Sequence, residues 1–384
     1  MSRVATDRPP FELVRGWTVP PRDPKGTREG YTTGASAAAA TQAACRLLLL
    51  DERPEVVAVR SPLGFDLMIR VNRLAYRDGS ASAGVIKDGG DDPDVTHGAE
   101  VLATIRRVDS PGVAILGGEG VGRITQPGLE LPPGEAAINP VPRRMIAEGV
   151  AAVAGLDRLG LGFEVTISVP GGEAIALKTL NSRIGILGGI SILGTTGVVR
   201  PMSTASWRAS VVQSIDVAAA NSLRHIVLTT GGRSERFAET LYPALPAMAF
   251  VQMGIFTGDS LKRAVERGVE VVTIGGMIGK VAKLATGQMQ THVAGGGVDV
   301  AFLAGLARDA GAPAPLVEAI AGANTGRHVE DLVRSAAFDA FYAHVARKAA
   351  GACRDHVGGR LRVEVALFDF EGRVLALADD PARP

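Results

Sequence analysis

Between residues 204 and 274, segments typical of helices alternate with apolar runs typical of strands, and the connections between them are short. The helical segments span 204–221, 235–241 and 260–267, and the strand-like runs span 225–230, 247–253 and 269–274. Strands that are joined through helices in this way pair in parallel and form a doubly wound sheet. The sequence therefore predicts a Rossmann-like α/β domain over residues 181–350, of which 299–350 is mostly helical.

The preceding residues, 27–180, contain many short strand-like runs and few helices. Helices are predicted over 35–50 and 142–153, and strands over 56–60, 67–72, 82–86, 101–108, 113–116 and 163–169. This mixture is typical of an α+β domain, and 384 residues are enough for two domains. We expect an extended, proline-rich arm over 1–26, and a C-terminal hairpin over 351–384 that turns at Glu371 and Gly372 and returns to a sheet edge.

The composition excludes several classes of protein. With 41 basic and 40 acidic residues, the overall charge gives no sign of the basic surface that nucleic-acid binding requires. No apolar stretch approaches the roughly 20 residues that span a bilayer. Asp7, Glu12 and several prolines near the N-terminus differ from a basic and then apolar signal, so we do not expect export. Cys45 and Cys353 lie in helical runs and are predicted to be buried. We expect a cytoplasmic protein that binds neither nucleic acid nor membranes, and the sequence leaves open whether it is a homo-oligomer.

Thr32, Thr33 and Gly34 precede the first predicted helix. The N-terminus of a helix offers unpaired N–H groups and a positive dipole end, and glycine lets a ligand approach the backbone. A bound carboxylate is one interpretation of this string. The other is a helix capped by threonine without any ligand, which the three residues alone favour.

The acidic string contains Asp88, Asp91, Asp92 and Asp94, with His97 close behind. Its oxygens are suited to a hard cation, although the spacing lacks the features of an EF-hand loop. A carboxylate of this string is also suited to the ribose hydroxyls of an adenosine cofactor, and an Asp or His97 to proton transfer. A fourth alternative is a loop whose aspartates bond their own backbone.

Three further loops are rich in glycine and polar residues. Gly118, Glu119 and Gly120 follow a strand-like run, so the backbone there is free to approach a ligand, although the string is not a dinucleotide fingerprint. Arg143 and Arg144 lie near the start of a helix, where a cation gains nothing from the dipole, and this favours anion binding. In the loop over 188–203, Thr195 and Thr196 supply hydroxyls and Arg200 a bidentate fork for carboxylate, or the loop is a tight turn between domains.

A second set of loops follows the predicted parallel strands. Thr230, Gly231 and Gly232 lie where the first of these strands ends and a helix begins, which is where doubly wound sheets bind ligands. Residues 254–259 and 275–276 occupy the equivalent ends of the next two strands. Three neighbouring strand ends with glycine loops predict one extended pocket. His292 lies in a glycine-rich loop that is predicted to close over a pocket.

Taken in chain order, four of these strings closely resemble the CbiD family, the cobalt-precorrin-5B C(1)-methyltransferases of cobalamin biosynthesis. The strings are EGYTTG at 29–34, KDGGDDPDVTHG at 87–98, GGEGVGR at 117–123 with AINPVPR at 137–143, and GISILGTTGVVRPMS at 189–203. The resemblance extends from about Thr27 to about Leu377. Family members usually carry Cys two residues after the position of Gly34, where this chain has Ser36, so we expect no thiolate chemistry there.

The resemblance implies transfer of a methyl group from S-adenosylmethionine to C-1 of a ring-contracted cobalt corrinoid, giving cobalt-precorrin-6A. A sulfonium methyl is already electrophilic, so alignment and exclusion of water supply most of the acceleration, and no protein-bound metal is needed. The expected catalytic residues are Asp91, Asp92 and His97. The expected cofactor-binding residues are Thr32, Thr33, Gly34, Asp92, Gly118, Glu119, Gly120, Thr230, Gly231 and Gly232.

The substrate carries acetate and propionate arms, so it is expected to meet cations and hydroxyls. The expected substrate-binding residues are Arg143, Arg144, Lys178, Arg183, Thr195, Thr196 and Arg200. Apolar surface for the flat ring is expected from residues 190–193 and 277–278. We expect one cleft between the two domains, lined by all four strings.

Two alternatives to a methyltransferase remain at this stage. The first is a metal-dependent hydrolase or isomerase that uses the cluster from residue 91 to residue 97. The second is a non-catalytic tetrapyrrole-binding protein that binds the corrinoid but has no affinity for S-adenosylmethionine.

Overall fold

The computed structural model describes residues 9–155, 160–291 and 297–379. The chain divides into two compact units, one ending at Ser203 and the other beginning at Thr204. This boundary lies later than the predicted one at residue 180, because Ile186–Leu187 and Val198–Val199 pair with strands of the first unit. Among the described residues, none of the helices combines the length and hydropathy that crossing a bilayer requires.

The described part of the first unit contains short strands and three helices. The strands are β1 (Phe11–Val14), β2 (Gly30–Tyr31), β3 (Val56–Arg60), β4 (Asp66–Arg70), β5 (Arg73–Arg77), β6 (Ser80–Ile86), β7 (Glu100–Val108), β8 (Gly112–Gly117), β9 (Arg123–Ile124), β10 (Gly162–Ser168), β11 (Ile186–Leu187) and β12 (Val198–Val199). The helices are α1 (Thr33–Leu50), α2 (Pro140–Ala154) and α3 (Gly172–Ala176).

Six of these strands form one sheet in the order β1-β5-β6-β7-β10-β8. The pairs are antiparallel except β10 with β8, which run parallel, with Val165 opposite Ile115. Part of the predicted N-terminal arm is thus a strand, since β1 pairs with β5. Helix α1 is buried along almost its whole length and packs against α2, β6 and β7. The side chains of its many alanines are small, so the sheet and α2 can approach the helix closely.

In the second unit, the described residues form one sheet and a larger number of helices. The strands are β13 (His225–Thr229), β14 (Phe250–Gln252), β15 (Val271–Met277), β16 (Arg362–Phe368) and β17 (Val374–Asp379). The helices are α4 (Thr204–Ala220), α5 (Gly232–Leu241), α6 (Thr257–Glu266), α7 (Ile278–Ala285), α8 (Val300–Asp309), α9 (Ala314–Ala321), α10 (Gly326–Ser335) and α11 (Ala340–His356).

The strand order of this sheet is β14-β13-β15-β16-β17. The first four strands run parallel, as the alternation of strands and helices predicts, and β17 returns antiparallel at the edge. Successive residues of β13 enter separate cores: Ile226 and Leu228 pack with α4, α6, α7 and α11, whereas Val227 packs with α5. Helices therefore cover both faces of the sheet, and the carboxyl ends of β13 and β15 lie side by side.

Candidate functional site

The segment over residues 186–203 brings the four strings of the first unit together. Its Leu193 carbonyl accepts a hydrogen bond from Gly34 N at 3.0 Å, at the start of α1. Ile190 N donates to the Gly120 carbonyl at 2.9 Å, and Asn139 N donates to the Ile192 carbonyl at 2.9 Å. At its far end, Met202 N donates to the Asp92 carboxylate at 3.0 Å. Residues from all four strings are therefore neighbours within one unit.

The glycines of these strings permit close crossings of the backbone. A Cβ on Gly120 would lie 1.9 Å from the Val169 carbonyl oxygen, and one on Gly189 would lie 2.2 Å from the Gly120 carbonyl oxygen. Gly118 is similarly crowded, because its Cβ would lie 2.3 Å from Ser168 Oγ. The space beside these glycines is therefore filled by the protein itself and is not an open cradle for a ligand. The side chain of Glu119 is exposed.

The N-terminus of α1 is satisfied by groups of the same chain. Thr32 caps the helix by accepting from Ala35 N at 3.1 Å, and its carbonyl accepts from Ser36 N at 3.0 Å. Thr33 Oγ1 accepts from Leu193 N at 2.9 Å, and Gly34 N is bonded as described above. This arrangement corresponds to the capped-helix interpretation. Ser36 is fully buried, so its position is not accessible to a reactant.

The acidic string binds the residues that precede β2. Asp91 accepts hydrogen bonds from Arg28 N at 2.7 Å and Asp23 N at 3.1 Å. These backbone donors, from Asp23 first and then Arg28, hold the pKa of Asp91 below its usual range. Asp88 forms an ion pair of 2.5 Å with Arg28. Two carboxylates of the acidic string, including that of the predicted catalytic Asp91, therefore serve as acceptors within the chain.

Asp94 forms the most buried ion pair of the string. Its Oδ2 lies 2.5 Å from Nζ of Lys87, a lysine that is only 1% exposed. Its other oxygen accepts from Thr96 N at 2.8 Å and from Thr96 Oγ1 at 2.6 Å. Burial raises the pKa of Asp94, but Lys87 and Thr96 outweigh it, so the pKa is lowered overall. Lys87 is therefore charge-balanced in the interior by one carboxylate.

His97 and Asp92 remain the members of the string with capacity for chemistry. Nδ1 of His97 accepts from Gly89 N at 3.1 Å, which places the proton of the neutral ring on Nε2. Burial is the main cause that lowers the pKa of His97. Burial also raises the pKa of Asp92, against the bond from Met202 N. A neutral imidazole and a carboxylate of raised pKa are suited to accepting or relaying a proton.

The geometry gives no support to a metal centre in this string. Within the ranges that the structure covers, no three His, Cys, Asp or Glu side chains are placed to hold a metal ion. Asp88, Asp91 and Asp94 are each engaged by a cation or by backbone N–H groups. The hydrolase alternative therefore has no ligand set in the described part of the chain.

The predicted substrate-binding residues differ in how far they are engaged. The guanidinium of Arg143 donates to the Ile138 carbonyl at 2.8 Å and pairs with Glu135 at 3.1 Å, so it serves to join α2 to the loop before it. Arg200 pairs with Glu29 at 2.9 Å, and both side chains are more than half exposed. Thr196 Oγ1 bonds the Val198 carbonyl at 3.1 Å.

Four more of the predicted substrate residues lie at or near the surface. Arg144 is 3.9 Å from Glu148, and both are exposed. Lys178 and Thr195 are exposed, and Arg183 is half-buried.

The apolar surface predicted for residues 190–193 needs correction. Ile190 and Ile192 are buried in the core, and so is Ile278 of the second predicted patch. Leu193, within the predicted range, is exposed, and the other large exposed apolar side chains nearby are Leu187 and Met202, of which Met202 is 78% exposed. Residues 189–192 are buried in one continuous run, and the exposed Leu187 and Leu193 lie on either side of it.

The lowered pKa of His97 predicts a loss of stability in mild acid. Two other histidines, His225 and His356, also have pKa values lowered mainly by burial. As the pH falls below 6.5, the ordinary pKa of histidine, these histidines bind protons in the unfolded chain but remain neutral in the folded one. The free energy of unfolding therefore decreases as the pH falls. We expect the urea midpoint to decrease steadily between pH 7.5 and 5.5, a window above the titration of ordinary carboxylates.

The variant His97→Asn tests how much of this decrease in the urea midpoint is due to His97. Asparagine keeps an acceptor near the position of Nδ1 but does not titrate. The decrease in midpoint between pH 7.5 and 5.5 is expected to be smaller in this variant than in the parent protein. An unchanged decrease would show that His97 contributes nothing to it.

The second unit contains a pocket of about 430 Å³ at the carboxyl ends of β13 and β15. The predicted residues Thr230, Gly231 and Gly232 line it, whereas Gly275 and Gly276 do not, although Met277 directly after them does. The other lining residues are Arg233, Ser234, Met277, Gly279, Lys280 and Phe370. Gly254, from the third predicted loop, is packed against Trp207 and is not among them.

Gly279, Lys280 and Phe370 line the pocket but were not singled out in the sequence, whereas Arg233 lies in the predicted loop 230–234. Lys280 lies in the first turn of α7, and its Nζ donates to the Thr230 carbonyl at 2.6 Å. Phe370 follows β16, and the Arg327 guanidinium lies 5.0 Å from its ring centre. Arg233 stands at the start of α5. A cation shortly after the predicted strand 269–274 and its glycines is the signal that would have indicated Lys280. His292 lies outside the described residues.

Comparisons with known proteins give a consistent result. The family model described as CbiD matches residues 21–201, and the model described as CbiD, C-terminal domain, matches residues 290–379. The cobalt-precorrin-5B C(1)-methyltransferase of Thermus thermophilus is 51% identical over 94% of this chain and 97% of its own length. That of Geobacillus kaustophilus is 49% identical over 92% and 95%.

A solved structure is also similar in sequence. It is the crystal structure of a cobalamin biosynthesis protein (cbiD) from Archaeoglobus fulgidus, which is 28% identical to this chain. The match covers 80% of this chain and 84% of that one, with a TM-score of 0.38.

Proposed function

The chain belongs to the CbiD family, and we propose that it transfers a methyl group from S-adenosylmethionine to C-1 of cobalt-precorrin-5B, giving cobalt-precorrin-6A. One observation carries the activity: the chain is about half identical, over more than nine-tenths of both lengths, to proteins named as cobalt-precorrin-5B C(1)-methyltransferases. It is accordingly a C(1)-methyltransferase of cobalamin biosynthesis. The identity of the methyl donor and the placement of both reactants are our proposals.

We place the methyl donor in the pocket of the second unit. Open α/β sheets of the doubly wound, Rossmann-like kind bind ligands beyond the carboxyl ends of their strands, and this pocket lies there. Its volume of about 430 Å³ is within the range of small-molecule sites. Phe370 and Met277 supply apolar wall for an adenine ring, and Thr230, Gly231 and Gly232 supply polar groups.

We place the corrinoid on the first unit, along the segment over residues 186–203. This segment exposes Leu187, Leu193 and Met202, which are suited to a flat apolar ring. Arg200 lies in this segment, and Lys178 lies shortly before it in the chain. Both are exposed cations that suit the carboxylate arms of the substrate. Asp92 bonds the backbone of Met202, so it positions one end of this surface.

The transfer itself needs little from the side chains. The electron pair of the nucleophilic ring carbon forms the new C–C bond, and the C–S bond breaks with its pair passing to sulfur. This leaves neutral S-adenosylhomocysteine. The contribution of the protein is to hold the methyl group in line with C-1 and to exclude water. His97 and Asp92 are the described groups of the first unit best suited to handling a proton around this step.

Replacement of Arg200 by Ala is expected to weaken corrinoid binding by about ten- to a hundredfold, because a charge-assisted hydrogen bond contributes about 1.5–3 kcal/mol. Affinity for S-adenosylmethionine should stay unchanged, as calorimetry of each ligand would show. The matched control is Glu29→Gln, which removes the partner of Arg200 but keeps the cation. If Arg200→Ala and Glu29→Gln weaken corrinoid binding equally, the ion pair and not the arginine alone is required.

Incubation with methyl-labelled S-adenosylmethionine and cobalt-precorrin-5B, followed by mass analysis, tests the function. We expect one labelled methyl group on the corrinoid and one S-adenosylhomocysteine for each turnover. Binding of the corrinoid without transfer would favour the tetrapyrrole-binding alternative. Loss of activity with a chelator and its recovery with a divalent cation would favour the metal-dependent alternative.

A further inference from the structure

The pocket of the second unit has an unbalanced charge. Of the residues that line it, Arg233 and Lys280 are cationic, and none of those described is acidic. Lys280 Nζ donates a hydrogen bond to a neutral acceptor, the Thr230 carbonyl, at 2.6 Å. Burial, followed by the nearby Lys283, lowers the pKa of Lys280, as expected for a cation that lacks an opposing charge.

Two helices begin at this pocket, and neither has a side-chain cap. Helix α5 is preceded by Gly231, which has no side chain to accept a hydrogen bond, and α7 is preceded by Met277, which offers only a weak acceptor. The first-turn N–H groups of both helices therefore need another acceptor, and both dipoles place positive potential at this end. Gly279, in the first turn of α7, lines the pocket directly.

The acidic groups close to these elements are engaged elsewhere. Glu235, in the first turn of α5, is buried and accepts from Gln252 Nε2 at 2.5 Å. Asp369, which precedes Phe370, is buried and accepts from Glu371 N at 2.9 Å and Arg373 N at 2.8 Å. Neither carboxylate lines the pocket, so the positive potential there is left for a ligand to balance.

We infer that this pocket binds a carboxylate group, held by Lys280, Arg233 and the first turns of α5 and α7, and that Lys280 selects ligands which carry it. The inference rests on the proposed function, which supplies two sources of this chemistry. One is the carboxylate of the methionine part of S-adenosylmethionine, and the other is an acetate or propionate arm of the corrinoid. The ammonium and sulfonium groups of the donor would then lie away from the cations, toward the open side of the pocket.

The test measures dissociation constants by calorimetry for S-adenosylmethionine, decarboxylated S-adenosylmethionine and the cobalt corrinoid. The proteins are the parent, Lys280→Met, Arg233→Met and, as a matched control, Lys348→Met, which removes an exposed lysine of α11 far along the chain. Thermal midpoints of all four proteins are recorded alongside. Arg233 is exposed, so its variant keeps the test valid if Lys280→Met folds poorly.

If the donor supplies the carboxylate, Lys280→Met should weaken S-adenosylmethionine binding by at least tenfold and leave the decarboxylated donor unaffected. If the substrate supplies it, the same variant should weaken corrinoid binding at least tenfold and leave both donors unaffected. Either result supports the inference. Equal losses for S-adenosylmethionine and its decarboxylated form, or no change with any ligand in either variant, would overturn it.

Failure of this inference is distinguishable from failure of the proposed function. A parent protein that transfers the methyl group while the Lys280 and Arg233 variants bind every ligand normally overturns the inference alone. A parent protein that binds neither S-adenosylmethionine nor the corrinoid overturns the proposed function.

Discussion

Replacement of Asp94 by Ala is expected to lower the free energy of unfolding of the first unit by about 3–5 kcal/mol, because it leaves a buried lysine without a counter-charge. Lys87 is 1% exposed, and its Nζ lies 2.5 Å from Asp94 Oδ2. The substitution also removes the acceptor of Thr96 N. The whole loop over residues 87–98 depends on this pair, so activity should fall along with stability.

The matched variant is Lys87→Met, which fills the same space with an uncharged chain of similar length. Asp94 is 22% exposed and keeps its bonds to Thr96, so the loss of stability should be clearly smaller than for Asp94→Ala. Both substitutions would be made in a Trp207→Phe protein and unfolded in urea. Tryptophan fluorescence then reports the first unit, because the remaining tryptophan, Trp17, lies in it. Equal losses for the two variants would contradict the view that an unpaired buried charge is the cause.

Replacement of Gly120 by Ala should be comparably damaging, with an expected loss of about 2–5 kcal/mol. The backbone of Gly120 has a φ of +69°, a left-handed conformation that costs an L-residue about 1–2 kcal/mol. In addition, the new Cβ would lie 1.9 Å from the Val169 carbonyl oxygen, and crowding of this kind costs about 1–3 kcal/mol. Since the Gly120 carbonyl also accepts from Ile190 N, the segment over 186–203 should shift and corrinoid binding should weaken.

Gly171 offers a control, because its backbone φ angle is nearly the same as that of Gly120. Its φ is +73°, but a Cβ there meets nothing within 4 Å. Gly171→Ala should therefore cost only the conformational part, about 1–2 kcal/mol, and should leave corrinoid affinity unchanged. Urea unfolding and calorimetry of both variants measure these effects. If both alanines cost the same, the crowding at Gly120 is relieved by movement of the backbone and does not hold the segment in place.

The family and much of the secondary structure could be predicted from the sequence. The match of two CbiD family models confirms the resemblance carried by the four strings. The predicted helix at 35–50 and strand at 56–60 correspond to α1 and β3, and the parallel strands and the C-terminal hairpin are present. Apolar periodicity and turn residues act over a few neighbours, so a single sequence records them. Strand β5 escaped prediction because arginines flank its two buried residues.

Contacts within the candidate site were less predictable. The acidic string indicated a ligand site. In the folded chain, however, Asp94 pairs with Lys87 and Asp88 pairs with Arg28, and composition does not show which acids are paired in this way. The glycines near Gly120 indicated an open cradle, whereas the backbone of another segment fills the space beside them.

The sequence by itself determined the family, much of the order of helices and strands, and the strings on which the resemblance to the family rests. Only the tertiary structure decided that residues 186–203 join the first unit, that Arg143 is engaged within the chain, and that Lys280 and Phe370 share a pocket with Thr230. The physical reason is that local periodicity depends on near neighbours in the chain. The partner of a charge or the wall of a pocket depends on residues that only folding brings together.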